Sequence, residues 1–207
     1  QFSTKKSKIL TTDNRKRLKL YLQQGYIEHI SAKTYKYLGL PIGKTGIDIE
    51  EYFNSIRKKF WASVQELITF SEQNQLTIRQ RIQLYKSIVR SQLEYGMAII
   101  PYTKEEIKKL DKYQIQAIKK ITKISYFTDR ETILALFDMP TIKQRQAQLM
   151  ANFYSKIRRP RKRSLAHKIT TILMKKGGIR NKQSKRLPPL LHAEKVMRNN
   201  HLQMIIN

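Results

Sequence analysis

The chain has 207 residues and an apolar fraction of 40%, which suits one domain of ordinary size with at most a small appendage and excludes wholesale disorder. Its 42 Lys and Arg residues against 15 Asp and Glu residues give a formal charge of +27, and a chain this basic favours a polyanionic partner, nucleic acid before an anionic membrane. The absence of cysteine excludes disulfides, thiolate zinc sites and cysteine nucleophiles.

Residues 1–49 are predicted to form short strands and a turn. KSKIL (6–10) and YKYLGL (35–40) have the alternation of strands, whereas RLKLYLQQ (17–24) fits a strand or a helix equally well. Proline and glycine then indicate a turn before the hydrophobic period changes, at Pro41, Gly43 and Gly46.

A helical period begins near Asp48 and continues to residue 158. Three of the predicted helices start with a capping box, in which a Thr hydroxyl and a Gln or Glu side chain satisfy amides at the helix start: Thr77–Gln80, Thr103–Glu106 and Thr141–Gln144. The pattern predicts helices at 50–71, 77–98, 103–124, 131–138 and 141–158, with further ones at 165–175 and 190–205.

The helix predicted at 103–124 has one apolar side and one basic side. At 100° per residue, the apolar side consists of Ile107, Leu110, Ala117, Ile118, Ile121 and Ile124. The opposite side carries four lysines that we consider candidates for binding RNA phosphates: Lys108, Lys112, Lys119 and Lys123.

The C-terminal third of the chain is nearly free of acids. Residues 139–207 contain 17 Lys and Arg residues and one acid, Glu194. RRPRKR (158–163) and KKGGIRNKQSKR (175–186) resemble extended basic arms. They add further candidate RNA-binding residues: Arg158, Arg159, Arg161, Lys162, Arg163, Lys175, Lys176, Arg180, Lys182, Lys185 and Arg186.

The sequence contains no recognisable catalytic or metal-binding signature. The aspartates include no adjacent pair that would hold divalent metals, the histidines lack ligand spacing, and no glycine-rich phosphate loop or nucleophile elbow occurs. We therefore predict no catalytic residue, no metal and no cofactor. No apolar run approaches the roughly 20 residues that span a bilayer, and the N-terminus lacks a signal-peptide core, so no membrane partner is expected.

The order of the segments is similar to that of reverse transcriptases of the non-LTR (LINE) type and of organellar introns. YKYLGLPIG (35–43) resembles the primer-grip hairpin that closes the palm of these enzymes, and KKSKIL (5–10) resembles the strand before it. Residues 76–121 resemble the thumb, and residues 129–159 resemble the helical stretch that follows it. The thumb pattern is filled by Arg81, Leu84, Tyr85, Val89, Arg90, Leu93, Tyr95 and Gly96.

The resemblance implies a palm end and a thumb, the parts that hold the template–primer backbone. It also implies a primer-grip-like turn at Tyr37, Leu38 and Gly39. The catalytic aspartates of that family lie upstream of the KSK strand and would precede Gln1, and the Cys-His knuckle found in many members is absent.

These observations predict a mainly α protein with a short β-hairpin region at its N-terminus. We expect palm-end-like strands over 1–49, a thumb-like helical bundle over 50–158 and a basic extension over 159–207. The expected function is that of a non-catalytic RNA-binding protein in a large ribonucleoprotein, a mitochondrial ribosome above all, with rRNA and neighbouring proteins as partners.

The alternative is the C-terminal thumb portion of an active non-LTR reverse transcriptase or maturase, whose catalytic half lies outside this chain. Its partner would be an RNA/DNA hybrid, and its location the nucleus or cytoplasm.

Overall fold

The computed structural model describes residues 20–22, 25–27, 34–43, 46–158 and Lys168. The protein is mainly α, with short antiparallel strands near the N-terminus, which confirms the predicted fold class. The chain divides into two units, Gln1–Ser55 and Ile56–Asn207. In the part of the chain that is described, no helix is long and apolar enough to cross a membrane.

The strands of the first unit form a hairpin and a small sheet. The hairpin pairs β1 (Leu20–Leu22) with β2 (Gly25–Ile27). The antiparallel sheet has the order β3 (Thr34–Tyr37), β4 (Leu40–Gly43) and β5 (Gly46–Ile47). The strand predicted at 6–10 lies outside the described residues.

The prediction of one strand over 35–40 is wrong, because the chain turns at Leu38 and Gly39. Both residues have positive φ, 46° and 80°, as a two-residue hairpin turn of the I′ type requires. Glycine adopts this conformation freely, whereas leucine does so at a cost of about 1 kcal/mol. Local turn patterns rest on Asn-Gly or Asp-Gly, so Leu-Gly gave no such signal, and only the resemblance implied a turn at these residues.

Pro41 and Gly43 lie in β4 and not in the predicted turn, and Pro41 helps to set the start of the first helix. The Pro41 carbonyl accepts the Asp48 amide N–H at 2.8 Å. Proline has no N–H with which to return this bond. The Asp48 carbonyl accepts the amide of Tyr52 at 3.0 Å instead, and Asp48 Oδ1 accepts the amide of Glu51 at 2.9 Å. Asp48 thus ends the strand pairing and caps the helix.

The helices predicted within residues 46–158 begin where the sequence predicts, to within one residue. Those predicted at 165–175 and 190–205 lie outside the described residues, apart from Lys168. Both halves of the capping box form at Thr77, Thr103 and Thr141. The helical segments are α1 (Ile49–Gln73), α2 (Ile78–Leu84), a π-helical turn (Tyr85–Val89), α3 (Arg90–Glu94), α4 (Lys104–Thr122), α5 (Arg130–Leu136) and α6 (Ile142–Arg158).

The single helix predicted over 77–98 is interrupted by the π-helical turn, and it ends at Glu94, earlier than predicted. The Arg90 amide bonds the Tyr85 carbonyl five residues back. Residues four positions apart in an α-helix are rotated by about 40° more than one full turn. A wider π-helical turn reduces this excess rotation and keeps such residues on one side of the helix. The turn lies within a series of buried residues spaced by four: Tyr85, Val89, Leu93 and Met97.

Three helices end at residues in the left-handed conformation that are not glycine. Gln75, Lys123 and Asp138 follow α1, α4 and α5, with φ values of 48°, 57° and 46°. At Asp138 the amides of Asp138 and Met139 donate to the Ala135 and Leu134 carbonyls, the pattern of a Schellman motif. The predicted ends at 124 and 138 are each two residues too late, because no glycine marks these positions.

The second unit packs around α4, which contacts α2, α5 and α6. The apolar side predicted for this helix is largely confirmed, although Ile107 and Ile124 are only half-buried. The buried residues of α4 are Leu110, Gln114, Ile115, Ala117, Ile118, Ile121 and Thr122.

Polar side chains hold the linker between α5 and α6. Lys86 Nζ donates to the Phe137 carbonyl at 2.8 Å, and Gln114 Nε2 donates to the Pro140 carbonyl at 3.0 Å. The Asp111 carboxylate accepts the Ile142 amide at 3.0 Å. These bonds satisfy polar groups at the end of α5 and the start of α6 that the helices leave unpaired.

Two arginine–carboxylate pairs connect helices that are distant in sequence. Arg145 Nε and Nη2 donate to the Glu94 carboxylate at 2.7 and 2.9 Å, a bidentate contact from α6 to α3. Asp111 pairs with Arg130. In both pairs the hydrogen bond to the carboxylate raises the pKa of the guanidinium. Both therefore stay charged.

Tyr85 is the largest polar side chain of this core with no exposed surface. Its hydroxyl has no hydrogen-bond partner among the described residues. Burial raises the pKa of Tyr85 far above its ordinary value, because the phenolate cannot be solvated there. The stability that depends on neutral Tyr85 is therefore present below about pH 10 and is lost as the pH rises above that value.

Above about pH 10, we expect the free energy of unfolding of the parent protein to fall relative to that of Tyr85→Phe, by about 1.4 kcal/mol per pH unit. At pH 7 the two free energies of unfolding should agree within about 1 kcal/mol. Urea unfolding followed by far-UV circular dichroism measures both. Tyr126→Phe, at a ring that is 75% exposed, is the matched control and should follow the parent. If the free energy of unfolding falls equally in Tyr85→Phe and the parent above about pH 10, the loss of stability does not come from Tyr85.

Candidate nucleic-acid interface

The solvent-facing side of α4 carries a dense set of lysines. The helix starts at the Thr103 capping box and buries its apolar side, so its remaining positions face water. They extend over about 24 Å at 1.5 Å per residue. Lys119 is half-exposed, and the exposed lysines are Lys104, Lys108, Lys109, Lys112 and Lys120.

The predicted row of four lysines is only partly a free surface. Lys108 and Lys112 are exposed as predicted. Lys123 lies beyond the end of α4, and its Nζ is 2.9 Å from Glu72 Oε1. Its hydrogen bond and charge lower the pKa of the Glu72 carboxyl. Because both side chains are exposed, this ion pair stabilises the fold little.

The acids of α4 do little to balance these lysines. The Glu106 carboxylate accepts the Thr103 amide at 2.7 Å, and Asp111 is occupied by Arg130 and the start of α6. Glu105 is the only exposed acid of the helix, and it lies in the first turn, where negative charge suits the helix dipole. The side of α4 beyond its first turn is therefore strongly positive.

Acids elsewhere in the described residues also serve the fold. Asp129 caps α5 through the Thr132 amide and hydroxyl, and these bonds lower the pKa of its carboxyl. Glu51 accepts the Thr34 hydroxyl, and Glu94 is held by Arg145. Acids engaged in this way neutralise few of the exposed cations, so the surplus positive charge lies on the surface.

One edge of α4 combines cations with half-buried aromatic rings. The Trp61 and Tyr113 rings meet edge to face at 5.9 Å, and the Lys120 ammonium lies 5.2 Å from the Trp61 ring centroid. Lys109 lies one turn before Tyr113. Lys104, Lys109 and Lys120 were not among the predicted residues, although helical spacing places Lys109 and Lys120 on one edge of the helix with Tyr113. The contact of Trp61 with this edge depends on how α1 and α4 pack, which local patterns do not show.

The loop after α4 displays two aromatic residues. Tyr126 is 75% exposed and Phe127 is 94% exposed. Their rings meet edge to face at 6.3 Å, and the Lys119 ammonium lies 5.1 Å from the Tyr126 ring centroid. Lys119 Nζ also donates to the Tyr126 carbonyl. The loop thus places aromatic surface beside the last lysines of α4.

The other predicted site residues lie in the first unit or outside the described side chains. Tyr37 and Leu38 are 56% and 71% exposed at the β3–β4 turn with Gly39, in the first unit. Arg158 ends α6, and its side chain is not described. The remaining predicted arm residues lie outside the described residues: Arg159, Arg161, Lys162, Arg163, Lys175, Lys176, Arg180, Lys182, Lys185 and Arg186.

Within the described ranges, no group of three His, Asp or Glu side chains is placed to hold a metal ion. No protein-family model matches the chain, and neither does any curated protein or any solved structure.

Trp61 is the single tryptophan of the chain and reports on the α4 edge. We expect its fluorescence to change saturably during titration with RNA, because phosphates that attract Lys120 alter the cation–π contact. Raising the salt concentration should reverse the change. A constant Trp61 signal under conditions where gel shift shows binding would place the RNA away from this edge.

Proposed function

We propose that this chain is a non-catalytic RNA-binding protein and a structural component of a large ribonucleoprotein. The observation that carries the proposal is the lysine-rich side of α4, where Glu105 is the only exposed acid. Ammonium groups along about 24 Å of a rigid helix suit an RNA backbone, whose bound counterions they would release.

The use of the carboxylates supports a binding role over a catalytic one. Asp111, Glu94 and Asp129 are committed to ion pairs or helix caps, so they are engaged in the fold. Phosphoryl transfer uses carboxylates that converge on metal ions. The proposal assigns these three acids to structure alone.

The assignment to a ribonucleoprotein rests on composition and on the resemblance to reverse transcriptases. A +27 charge with an acid-poor C-terminal third is typical of ribosomal proteins, which combine a small core with basic extensions in rRNA. A mitochondrial ribosome is the proposed host. The thumb-like order of segments suggests descent from a protein that already gripped a nucleic-acid backbone.

One observation favours the alternative, the thumb of an active reverse transcriptase or maturase. The β3–β4 turn exposes Tyr37 and Leu38 and holds Leu38 at a φ of 46°. Strain of this kind accumulates at functional turns, and this turn corresponds to the primer grip in the resemblance. DNA synthesis on a primed RNA by the native full-length protein would establish the alternative and overturn the structural role.

Replacing Lys104, Lys108, Lys109 and Lys112 by Gln tests the proposed function. We expect RNA affinity to fall and the slope of log K against log salt to shrink by about 3, since each lysine that meets a phosphate contributes about 0.7 to 0.9. Filter binding at several salt concentrations measures both quantities.

The matched control removes the same charge from exposed positions outside α4: Lys36, Arg79, Lys143 and Lys156, each to Gln. It should keep most of the slope. Equal losses in the two quadruple variants would show a diffuse charge effect and count against an interface on α4.

A further inference from the structure

The loop between α4 and α5 is built to present Phe127. Lys123 ends α4 with a φ of 57°, and Asp129 caps α5, so the loop is fixed at both ends. Inside it, the Phe127 amide donates to Ser125 Oγ at 3.3 Å and the Thr128 amide donates to the Ser125 carbonyl at 3.1 Å. A loop held in this way loses little conformational entropy when it binds.

The two rings of the loop are not equivalent. The Lys119 ammonium lies over the Tyr126 ring, and the Tyr126 ring meets Phe127 edge to face. Phe127 is 94% exposed, so its ring is open to water. An exposed aromatic ring can stack on a planar, uncharged group, and the lysines beside it can bind the anionic chain to which that group is attached.

An unpaired RNA base has this chemistry. Bases inside a duplex have their faces covered by neighbouring pairs, whereas a base in a loop, bulge or overhang offers a free π-face. Phenylalanine has no hydrogen-bonding group, so the contact would not depend on the identity of the base. The acid nearest to Phe127 in the sequence, Asp129, is engaged with Thr132.

We infer that Phe127 stacks on an unpaired base of an RNA whose backbone lies along the lysines of α4. The inference rests on the proposed function and deepens it, because it names the form of RNA. A lysine surface alone would accept any phosphate backbone, and the ring adds a preference for a junction between duplex and single strand.

The test compares a blunt RNA hairpin with the same hairpin carrying a single-stranded extension, in which 2-aminopurine replaces the first unpaired base. The parent protein should bind the extended RNA about tenfold more tightly and quench the 2-aminopurine fluorescence by stacking. Phe127→Ala should lose the preference and the quenching, with binding to the blunt hairpin unchanged.

Phe127→Leu and Phe127→Trp separate stacking from apolar contact. Leucine keeps apolar surface without a π-face and should behave like alanine, whereas tryptophan should keep the preference. Circular dichroism of all three variants should match the parent, because the side chain is 94% exposed.

Different results would contradict the proposed function and the stacking inference. If the parent protein binds neither RNA in a salt-dependent way, the proposed function is wrong. If it binds both RNAs equally well, if Phe127→Leu retains the preference, or if Phe127→Ala binds both RNAs like the parent, only the stacking inference is wrong.

Discussion

The helical unit depends on one carboxylate, that of Asp111 in the middle of α4. Its two oxygens hold Arg130, which begins α5, and the amide of Ile142, which begins α6. Gln114, one turn later, bonds the Pro140 carbonyl at 3.0 Å. Because this charge is mostly buried, its loss would remove the acceptor of the Ile142 amide and leave the Arg130 guanidinium with Glu131 as its remaining carboxylate partner. Such a loss costs more than the pair itself contributes. α4 is therefore the element that fixes the positions of its neighbours.

This arrangement explains how so basic a chain folds. Acids such as Glu94 and Asp111 are placed where charge must be neutralised inside the unit. The aliphatic parts of lysine side chains cover the helix surface while their ammonium groups stay in water. The outer side of α4 can therefore carry many lysines. Their mutual repulsion remains as stored electrostatic energy, and a polyanion would relieve it. The same helix thus serves structure on one side and, in the proposed function, binding on the other.

Sequence patterns predicted the local features of this fold and missed the tertiary ones. Capping boxes at Thr77, Thr103 and Thr141 join groups three residues apart, so the helix starts were predictable. Helix ends at Lys123 and Asp138 were not, because non-glycine residues adopt the left-handed conformation there only in the folded context. On the candidate surface, helical spacing correctly predicted that Lys108 and Lys112 are exposed on α4. It could not show that Lys123 pairs with Glu72 or that Phe127 is exposed, since both depend on how the helices pack.

Lysine acetylation footprinting, with and without bound RNA and read by mass spectrometry, tests the central claim most directly. The account predicts that RNA protects Lys104, Lys108, Lys109 and Lys112 strongly, while Lys143 of α6 reacts at the same rate in both samples. Equal protection of all exposed lysines, or unchanged reactivity along α4 in a sample where RNA is demonstrably bound, would contradict it.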